Sequence, residues 1–145
     1  MKLHISVQVD DLEQATRFYS ALFNCAPAIS REGYVKWDVE NPAINFVAET
    51  VRNRSGVDHL GIQVDDAEEL QALSDRMQST GHPFLGIERG VCCFADIEKS
   101  WVKGPADDKW EAFLTHSHDE ENYGSDREHL LDTEEAGDST GCCSP

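Results

Sequence analysis

The sequence predicts an α+β fold built from two βαβββ modules, and three observations support this prediction. First, residues 4–11 (HISVQVDD) recur as residues 59–66 (HLGIQVDD), offset by 55 positions. Second, the polarity pattern after each Asp-Asp pair changes from the alternation of a strand to the period of a helix. Third, several short strand candidates follow each helix. The modules cover about residues 1–50 and 57–118, and we expect a concave, mixed and mainly antiparallel sheet around a metal site.

In the first module, the aliphatic residues within 3–9 alternate with polar ones, which predicts a half-buried strand. His4 lies on the face opposite the aliphatic side chains. Asp11 is the predicted N-cap of the following helix, because Gln14 stands at the capping-box spacing. The apolar residues that follow helical spacing here are Leu12, Ala15, Tyr19, Leu22 and Phe23. Strands are then expected over 28–31, 34–39 and 43–48.

The second module repeats this order. His59 again lies opposite the aliphatic face of its strand, and Asp66 with Glu69 repeats the capping signal. The predicted helix carries an apolar stripe of Leu70, Leu73 and Met77, and it ends near Gly81 and Pro83. Strands are expected over 84–88, 91–97 and 110–115, with a longer connection over 100–109.

Charge is concentrated at the C-terminal end of the chain. Residues 119–145 hold nine acidic residues and one basic residue, which gives −8 of the net −16. Such a polar stretch buries too little apolar surface to offset the entropy of ordering, so we expect a flexible acidic tail with a short helix near 127–135. The first 118 residues form the predicted domain.

The composition also restricts the partners and the location. The first 118 residues sum to −8 as well, which argues against nucleic acid, because phosphate contacts need an excess of Lys and Arg. The apolar runs are too short for a membrane span, and no signal peptide is predicted. We therefore expect a cytoplasmic protein whose five cysteines are reduced.

Two histidines and one glutamate form the candidate metal site. Modules related by a pseudo-twofold axis would bring His4 and His59 together. Alignment of the strands 43–47 and 109–113 pairs Asn45 with Glu111, a carboxylate in an otherwise apolar strand that needs a partner. Two imidazoles and one carboxylate form the facial triad of non-haem Fe(II) oxygenases.

Other interpretations remain open for these residues. A single strand histidine is most often a surface or hydrogen-bonded residue, and duplication can preserve a residue without function. Glu111 alone is also compatible with a solvent-facing position. Three further histidines are weaker candidates, because they are expected in a loop or at the start of the acidic segment: His82, His116 and His118.

These features resemble the vicinal-oxygen-chelate superfamily, which includes glyoxalase I, extradiol dioxygenases and antibiotic-resistance binding proteins. The resemblance covers about residues 1–118 and lies in the two modules, the histidine on each first strand and Glu111 on the last. Many members use four ligands, and Asn45 here occupies the approximate position of the additional one. Because Asn is a poor ligand, this departure disfavours glyoxalase I and favours a three-ligand site.

A more specific resemblance is to the organoarsenical carbon–arsenic lyases and the related cadmium-induced proteins. It lies in residues 90–96 (GVCCFAD), in Trp101-Val102 and in Trp110-Glu111. The resemblance implies Fe(II)- and O2-dependent cleavage of the carbon–arsenic bond of trivalent organoarsenicals such as methylarsonous acid. It also implies His4, His59 and Glu111 as metal ligands and Cys92 and Cys93 as the thiols that bind arsenic.

The adjacent cysteines raise a geometric condition. Neighbouring residues of a regular strand point to opposite faces, so Cys92 and Cys93 share a pocket only at a bulge, a strand end or a mobile loop. Otherwise one cysteine is a small buried hydrophobe and the other faces solvent. We expect a minor role for the second pair, Cys142 and Cys143, and a packing role for Cys25.

Three functions therefore stay under comparison. The first is the Fe(II)-dependent dioxygenase acting on organoarsenicals. The second is a thiol-based protein that sequesters cadmium or arsenic without turnover, and it would consume no O2. The third is an isomerase or conjugating enzyme with Zn, Mn or Ni, which the missing fourth ligand disfavours. The sequence is compatible with a monomer and with a homodimer that exchanges modules.

Overall fold

The computed structural model describes residues 1–92, 94–118 and 128–132, without the side chains of Cys92 and His118. The chain divides into two compact units, Met1–Gln63 and Val64–Pro145. Both units combine an α-helix with β-strands, which confirms the predicted α+β class. Among the described residues, no helix has the length and the apolar character needed to cross a membrane.

The first unit is a mixed sheet with one helix. Its elements are β1 (Lys2–Gln8), α1 (Leu12–Phe23), β2 (Ile29–Arg31), β3 (Tyr34–Val39), β4 (Ile44–Glu49) and β5 (Gly56–Gln63). The strand order is β2-β3-β4-β1-β5. β1 and β4 are parallel, whereas the other neighbours are antiparallel.

The helix α1 covers the face of this sheet opposite His4. Its start is fixed by Asp11, whose side chain accepts a hydrogen bond from the backbone N–H of Gln14 at 2.9 Å, as the sequence predicts. Tyr19 of the helix packs against Phe46, with ring centroids 4.3 Å apart. Val7 lies in the same core, so the alternation along β1 directs His4 to the other face.

The strand β5 belongs to the first compact unit although it begins the second sequence repeat. It pairs antiparallel with β1, and Ser6 lies opposite His59 in this register. The compact units therefore divide after Gln63, whereas the sequence modules divide before residue 57. As a result, both repeated histidines are placed by one and the same pair of strands.

The second unit holds one helix and an antiparallel sheet. Its described elements are α2 (Ala67–Ser79), β6 (Phe84–Cys92), β7 (Ala95–Lys103), β8 (Lys109–His118) and a 3-10 helix (Glu128–Asp132). The strand order is β8-β7-β6. Asp66 caps α2 by accepting from the backbone N–H of Glu69 at 2.8 Å, which confirms the second capping signal.

The predicted strand over 91–97 is wrong. β6 runs on to Cys92 and β7 begins at Ala95, so the chain reverses inside this segment. Phe94 adopts the left-handed region, with φ at 61°. The apolar residues on both sides of the reversal look like one strand in the sequence, because neither Gly nor Pro marks the turn. The connection predicted over 100–109 is shorter in the structure than expected. β7 extends to Lys103, so it includes the first residues of the predicted connection.

The short helix predicted near 127–135 is confirmed as the 3-10 helix Glu128–Asp132. Leu131 is only 2% exposed and packs with Leu85 and Trp101. The predicted flexibility of the acidic tail concerns mainly residues 119–127 and 133–145, which lie outside the described residues. Within 128–132, one leucine offers enough apolar surface to pack this part of the tail on the second unit.

Two ion pairs hold the end of the same helix. Asp132 accepts hydrogen bonds from the ammonium groups of Lys103 and Lys109, each at 2.7 Å. These hydrogen bonds lower the pKa of the Asp132 carboxyl to about 2. Both lysines come from the sheet, so the pairs fix the helix to β7 and β8.

We predict that Leu131→Ala destabilises the second unit. Truncation of a well-buried leucine removes its burial energy and leaves a cavity, so the free energy of unfolding should fall by about 2–4 kcal/mol. Urea unfolding followed by Trp fluorescence measures this change. His129→Ala is the control, because His129 is exposed on the same helix; equal stability of the two variants would contradict the packing described.

Candidate metal centre

His4 on β1 and His59 on β5 share one face of the first unit. The β1–β5 register places Ser6 opposite His59, and Ser6 lies on the same face as His4. The Nε2 atoms of the two imidazoles are 3.1 Å apart, and their ring centroids are 5.1 Å apart. The structure thus brings together the two histidines that the repeat predicted as a pair.

The tautomer of His4 is fixed by its second nitrogen. Its Nδ1 lies 3.0 Å from the backbone carbonyl oxygen of Asn45, the residue opposite His4 in the parallel β1–β4 register. A carbonyl oxygen can only accept, so Nδ1 carries the hydrogen and donates it. In the neutral imidazole, the lone pair therefore lies on Nε2, on the side of His59.

The tautomer of His59 is fixed in the same way by a carboxylate. Its Nδ1 lies 2.8 Å from Oδ2 of Asp58. The Asp58 side chain is only 3% exposed, Arg54 donates to its other oxygen, and the Arg52 guanidinium lies 3.3 Å from it. Burial acts to raise the pKa of Asp58, but the hydrogen bonds from His59 and Arg54 and the positive charges of a protonated His59 and of Arg52 outweigh burial and lower that pKa. Asp58 is therefore an ionised acceptor, and in the neutral form of His59 the lone pair lies on Nε2.

A β-bulge in β5 allows the side chain of Asp58 to contact the side chain of His59, the next residue. Along β5, the pairing with β1 passes from Ser6–His59 directly to Val7–Val57, so Asp58 is an extra residue without an opposite partner in β1. Such an extra residue twists the strand and redirects its side chain. In a regular strand, Asp58 would point away from His59.

Two fixed lone pairs at this separation form a site for a cation. The lone pairs of the two Nε2 atoms repel unless a proton or a metal ion lies between them. At the usual metal–nitrogen distance of about 2.1 Å, two nitrogens 3.1 Å apart can bind the same ion. The imidazole pair therefore fits one cation held by both rings.

In the second unit, Glu111 is a buried carboxylate on β8. It is 4% exposed and lies opposite Trp101 in the β7–β8 register. Its Oε2 accepts a hydrogen bond from Nζ of Lys99 at 2.8 Å. A carboxylate in this setting is ionised because a charged partner compensates its burial.

Asn45 is the first-unit counterpart of Glu111 by strand alignment. It is 3% exposed, and its side-chain amide donates to the side-chain oxygen of Gln63 at 3.0 Å. The first unit therefore offers a neutral amide at the position where the second offers a carboxylate. This difference agrees with a three-ligand set rather than one with two carboxylates.

The structure locates the cysteines only in part. Cys92 is the last residue of β6, and its side chain lies outside the described part of the chain. Cys93, Cys142 and Cys143 lie outside the described residues as well. Cys25 is partly buried and packs against the core beneath α1, in agreement with the packing role predicted for it.

The weaker histidine candidates are not part of the imidazole pair. His82 is exposed, and Nε2 of His116 lies 2.7 Å from a carboxylate oxygen of Glu98. The side chain of His118 is outside the described residues. Sequence reasoning missed two charged residues instead, Asp58 and Lys99. Neither has a sequence signal, because the bulge and the β7 register that bring them to the site are tertiary features.

Comparisons with known proteins identify the family of this chain. Residues 3–93 match the model of the Glyoxalase/Bleomycin resistance protein/Dioxygenase superfamily, and the chain belongs to this superfamily. It is 34% identical over 146 residues to the cadmium-induced protein CadI of Mycobacterium tuberculosis, covering 98% of this chain and 92% of that protein. It is also 34% identical over 122 residues to a trivalent organoarsenical cleaving enzyme of Bacillus sp. strain MD1, covering 82% and 76%.

A solved structure supports the fold independently. A glyoxalase/bleomycin resistance protein/dioxygenase superfamily member from Vibrio splendidus matches with a TM-score of 0.52 at 14% identity. The match covers 79% of this chain and 97% of that chain. Together with the relatives above, it confirms the resemblance to this superfamily that the repeated modules indicate.

We predict that Asp58→Asn weakens metal binding by about 10–100-fold, because groups that orient a ligating imidazole contribute this much. An amide accepts a hydrogen bond less strongly than a carboxylate and does not fix the tautomer through charge. Co(II) titration against a competing chelator measures the affinity. Asp75→Asn is the matched control, since it makes the same charge change at an exposed position of α2. Equal affinities of both variants would show that Asp58 does not support the imidazole.

Proposed function

We propose that this protein is an Fe(II)- and O2-dependent enzyme that cleaves the carbon–arsenic bond of trivalent organoarsenicals such as methylarsonous acid. The observation that carries the proposal is the pair of imidazoles whose Nε2 atoms lie 3.1 Å apart with both Nδ1 atoms engaged by acceptors. The likeness to a relative named as a trivalent organoarsenical cleaving enzyme gives the substrate class.

In this proposal His4, His59 and Glu111 hold the metal, each with one ligand atom. The repeat supports the assignment, because Asn45 lies beside His4 in the β1–β4 register and Glu111 is the matched residue of the second module. Two imidazoles and one carboxylate would leave positions on the ion open for O2 or substrate. When bound, Fe(II) would supply the activation of O2.

The remaining roles belong to other groups of the protein. Asp58 and the backbone carbonyl of Asn45 keep the imidazoles in the tautomer that offers Nε2 to a cation. Cys92 and Cys93 bind the trivalent arsenic through two sulfur–arsenic bonds, which leaves its organic substituent exposed. Such two-point binding orients the bond to be broken. The end of β6 at Cys92 supports this role, since adjacent thiols share a pocket only where the strand stops.

The overall reaction balances without a further reductant. Methylarsonous acid, CH3As(OH)2, and one O2 give arsenous acid, As(OH)3, and formaldehyde. The methyl carbon is oxidised by four electrons, and O2 is reduced by four, while arsenic stays trivalent. The proposed reaction therefore needs no electron donor other than the substrate.

We predict that His59→Ala abolishes arsenite release, because loss of one imidazole removes half of the fixed nitrogen pair. Purified protein is loaded with Fe(II) without air, mixed with methylarsonous acid, and exposed to O2, and arsenite is separated chromatographically. His82→Ala serves as the matched control, because it removes an exposed loop histidine. Absence of arsenite from the iron-loaded unsubstituted protein would refute the proposal.

A second candidate is a sequestering protein that binds cadmium or arsenic through thiols without turnover. The specific observation in its favour is the 34% identity to a cadmium-induced protein. Oxygen consumption separates the two functions, since sequestration uses no O2. Stoichiometric binding of Cd(II) with no O2 uptake in the presence of methylarsonous acid would favour this candidate.

We predict that Cys92→Ser lowers the affinity for methylarsonous acid by about 10²-fold or more, because loss of one sulfur turns two-point binding into one-point binding. The Co(II) affinity should stay near that of the unsubstituted protein, since the thiols are not among the three metal donors. Tryptophan fluorescence and Co(II) absorption measure the two affinities separately. Cys25→Ser is the control, because Cys25 packs against the first core. If Cys92→Ser lowered the affinities for methylarsonous acid and for Co(II) equally, the thiol would be a metal ligand rather than an arsenic ligand.

A further inference from the structure

A buried ammonium group lies beside Glu111 and is not used by the proposed chemistry. Lys99 is 8% exposed and Glu111 is 4% exposed. Nζ of Lys99 donates to Oε2 of Glu111 at 2.8 Å. In the β7–β8 register Trp101 lies opposite Glu111, and Lys99 is two residues before Trp101, so all three side chains lie on one face.

Aromatic packing fixes the position of this ammonium group. Nζ of Lys99 lies 5.3 Å from the ring centroid of Trp101, at the distance of a cation–π contact. Trp101 is itself fully buried and packs with Leu85 and Leu131. A rigid ring therefore restrains the flexible lysine, and Lys99 is a fixed positive charge next to the carboxylate.

The charge of Lys99 compensates the charge of the Glu111 carboxylate. A buried carboxylate without a positive partner strongly destabilises a folded protein, and a buried ammonium does the same. The pair is neutral as it stands. A divalent ion on Glu111 would add two positive charges close to Lys99, and like charges at such short range repel strongly in a partly buried site.

We infer that Lys99 is the counter-ion of Glu111 in the metal-free protein and that it competes with a divalent cation for this carboxylate. The inference rests on the proposed function, in which Glu111 is a metal ligand. Lys99 keeps the empty site folded, and it lowers the affinity for the metal in return. It is a positioning and affinity-setting residue and does not touch the substrate.

The first unit contains a lysine at the equivalent strand position. Asp38 lies opposite Asn45 in the β3–β4 register, and Lys36 is two residues before Asp38, as Lys99 is before Trp101. Asn45 is the neutral counterpart of Glu111. Lys36→Met is therefore a matched control for Lys99→Met, because it removes a lysine two residues before the strand partner of an amide instead of a carboxylate.

The test uses the full chain with Co(II) as probe. Lys99→Met should bind Co(II) about tenfold or more tightly than the unsubstituted protein, because a nearby positive charge is removed. Its melting temperature without metal should fall, and the rise on adding Co(II) should exceed that of the unsubstituted protein. Lys99→Arg keeps the charge and should restore both values, and Lys36→Met should leave the Co(II) affinity unchanged.

Two results would overturn the inference. Weaker Co(II) binding by Lys99→Met that is restored in Lys99→Arg would show that the lysine presents the carboxylate to the metal rather than competing for it. Unchanged affinity and unchanged stability would show that it does neither.

A charge cycle keeps the inference testable when Lys99→Met does not fold without metal. In the double variant Lys99→Met, Glu111→Gln both charges are removed, so folding without metal should recover. A double variant as unstable as Lys99→Met would contradict the counter-ion role. This measurement needs no metal, so it tests the inference separately from the proposed function. A failure of the proposed function would instead appear as Co(II) binding that His59→Ala leaves unchanged.

Discussion

The close approach of two imidazole nitrogens is the constraint on which the site depends. Both Nδ1 atoms of the pair are engaged, His4 with a backbone carbonyl and His59 with the Asp58 carboxylate. These acceptors leave the lone pairs on the two Nε2 atoms, which β1 and β5 hold 3.1 Å apart. An arrangement of this kind is unfavourable by itself and becomes favourable when a cation occupies it. The fold therefore makes this face suited to a cation, and the two acceptors determine which nitrogens face it.

The two sequence repeats share a framework but differ in the charged residues that it carries. Each repeat supplies a strand with a histidine and a capped helix. The residues around the histidines differ. Leu3 precedes His4, whereas Asp58 precedes His59, and Asn45 stands where the other copy has Glu111. The strand positions around the two equivalent lysines therefore differ. Lys99 forms an ion pair with Glu111, whereas the position that corresponds to Glu111 near Lys36 holds the amide Asn45. A repeated framework thus carries different charges in its two copies.

The sequence predicted those parts of the structure that local patterns determine. Alternation, capping residues and the repeat were sufficient for β1, both helices and the pairing of the histidines, because these signals lie within a few residues of each other or recur at a fixed offset. The turn between β6 and β7 was missed, because Phe94 takes a left-handed conformation that no neighbouring Gly announces. Asp58 and Lys99 were missed because a bulge and a strand register, which depend on the partner strand, bring them to the site. Packing of Leu131 was equally invisible in a segment whose average composition is polar.

The reversal after β6 also changes the argument about the thiols. Two adjacent cysteines inside a regular strand would point to opposite faces, and only one of them could reach a ligand. β6 ends at Cys92 and β7 begins at Ala95, so Cys92 is the last residue of its strand. The strand end supports the proposed two-point binding of arsenic, which requires the first thiol to lie outside a regular strand interior. In the proposed function, the metal donors belong to strand interiors, whereas the first of the two thiols belongs to a strand end.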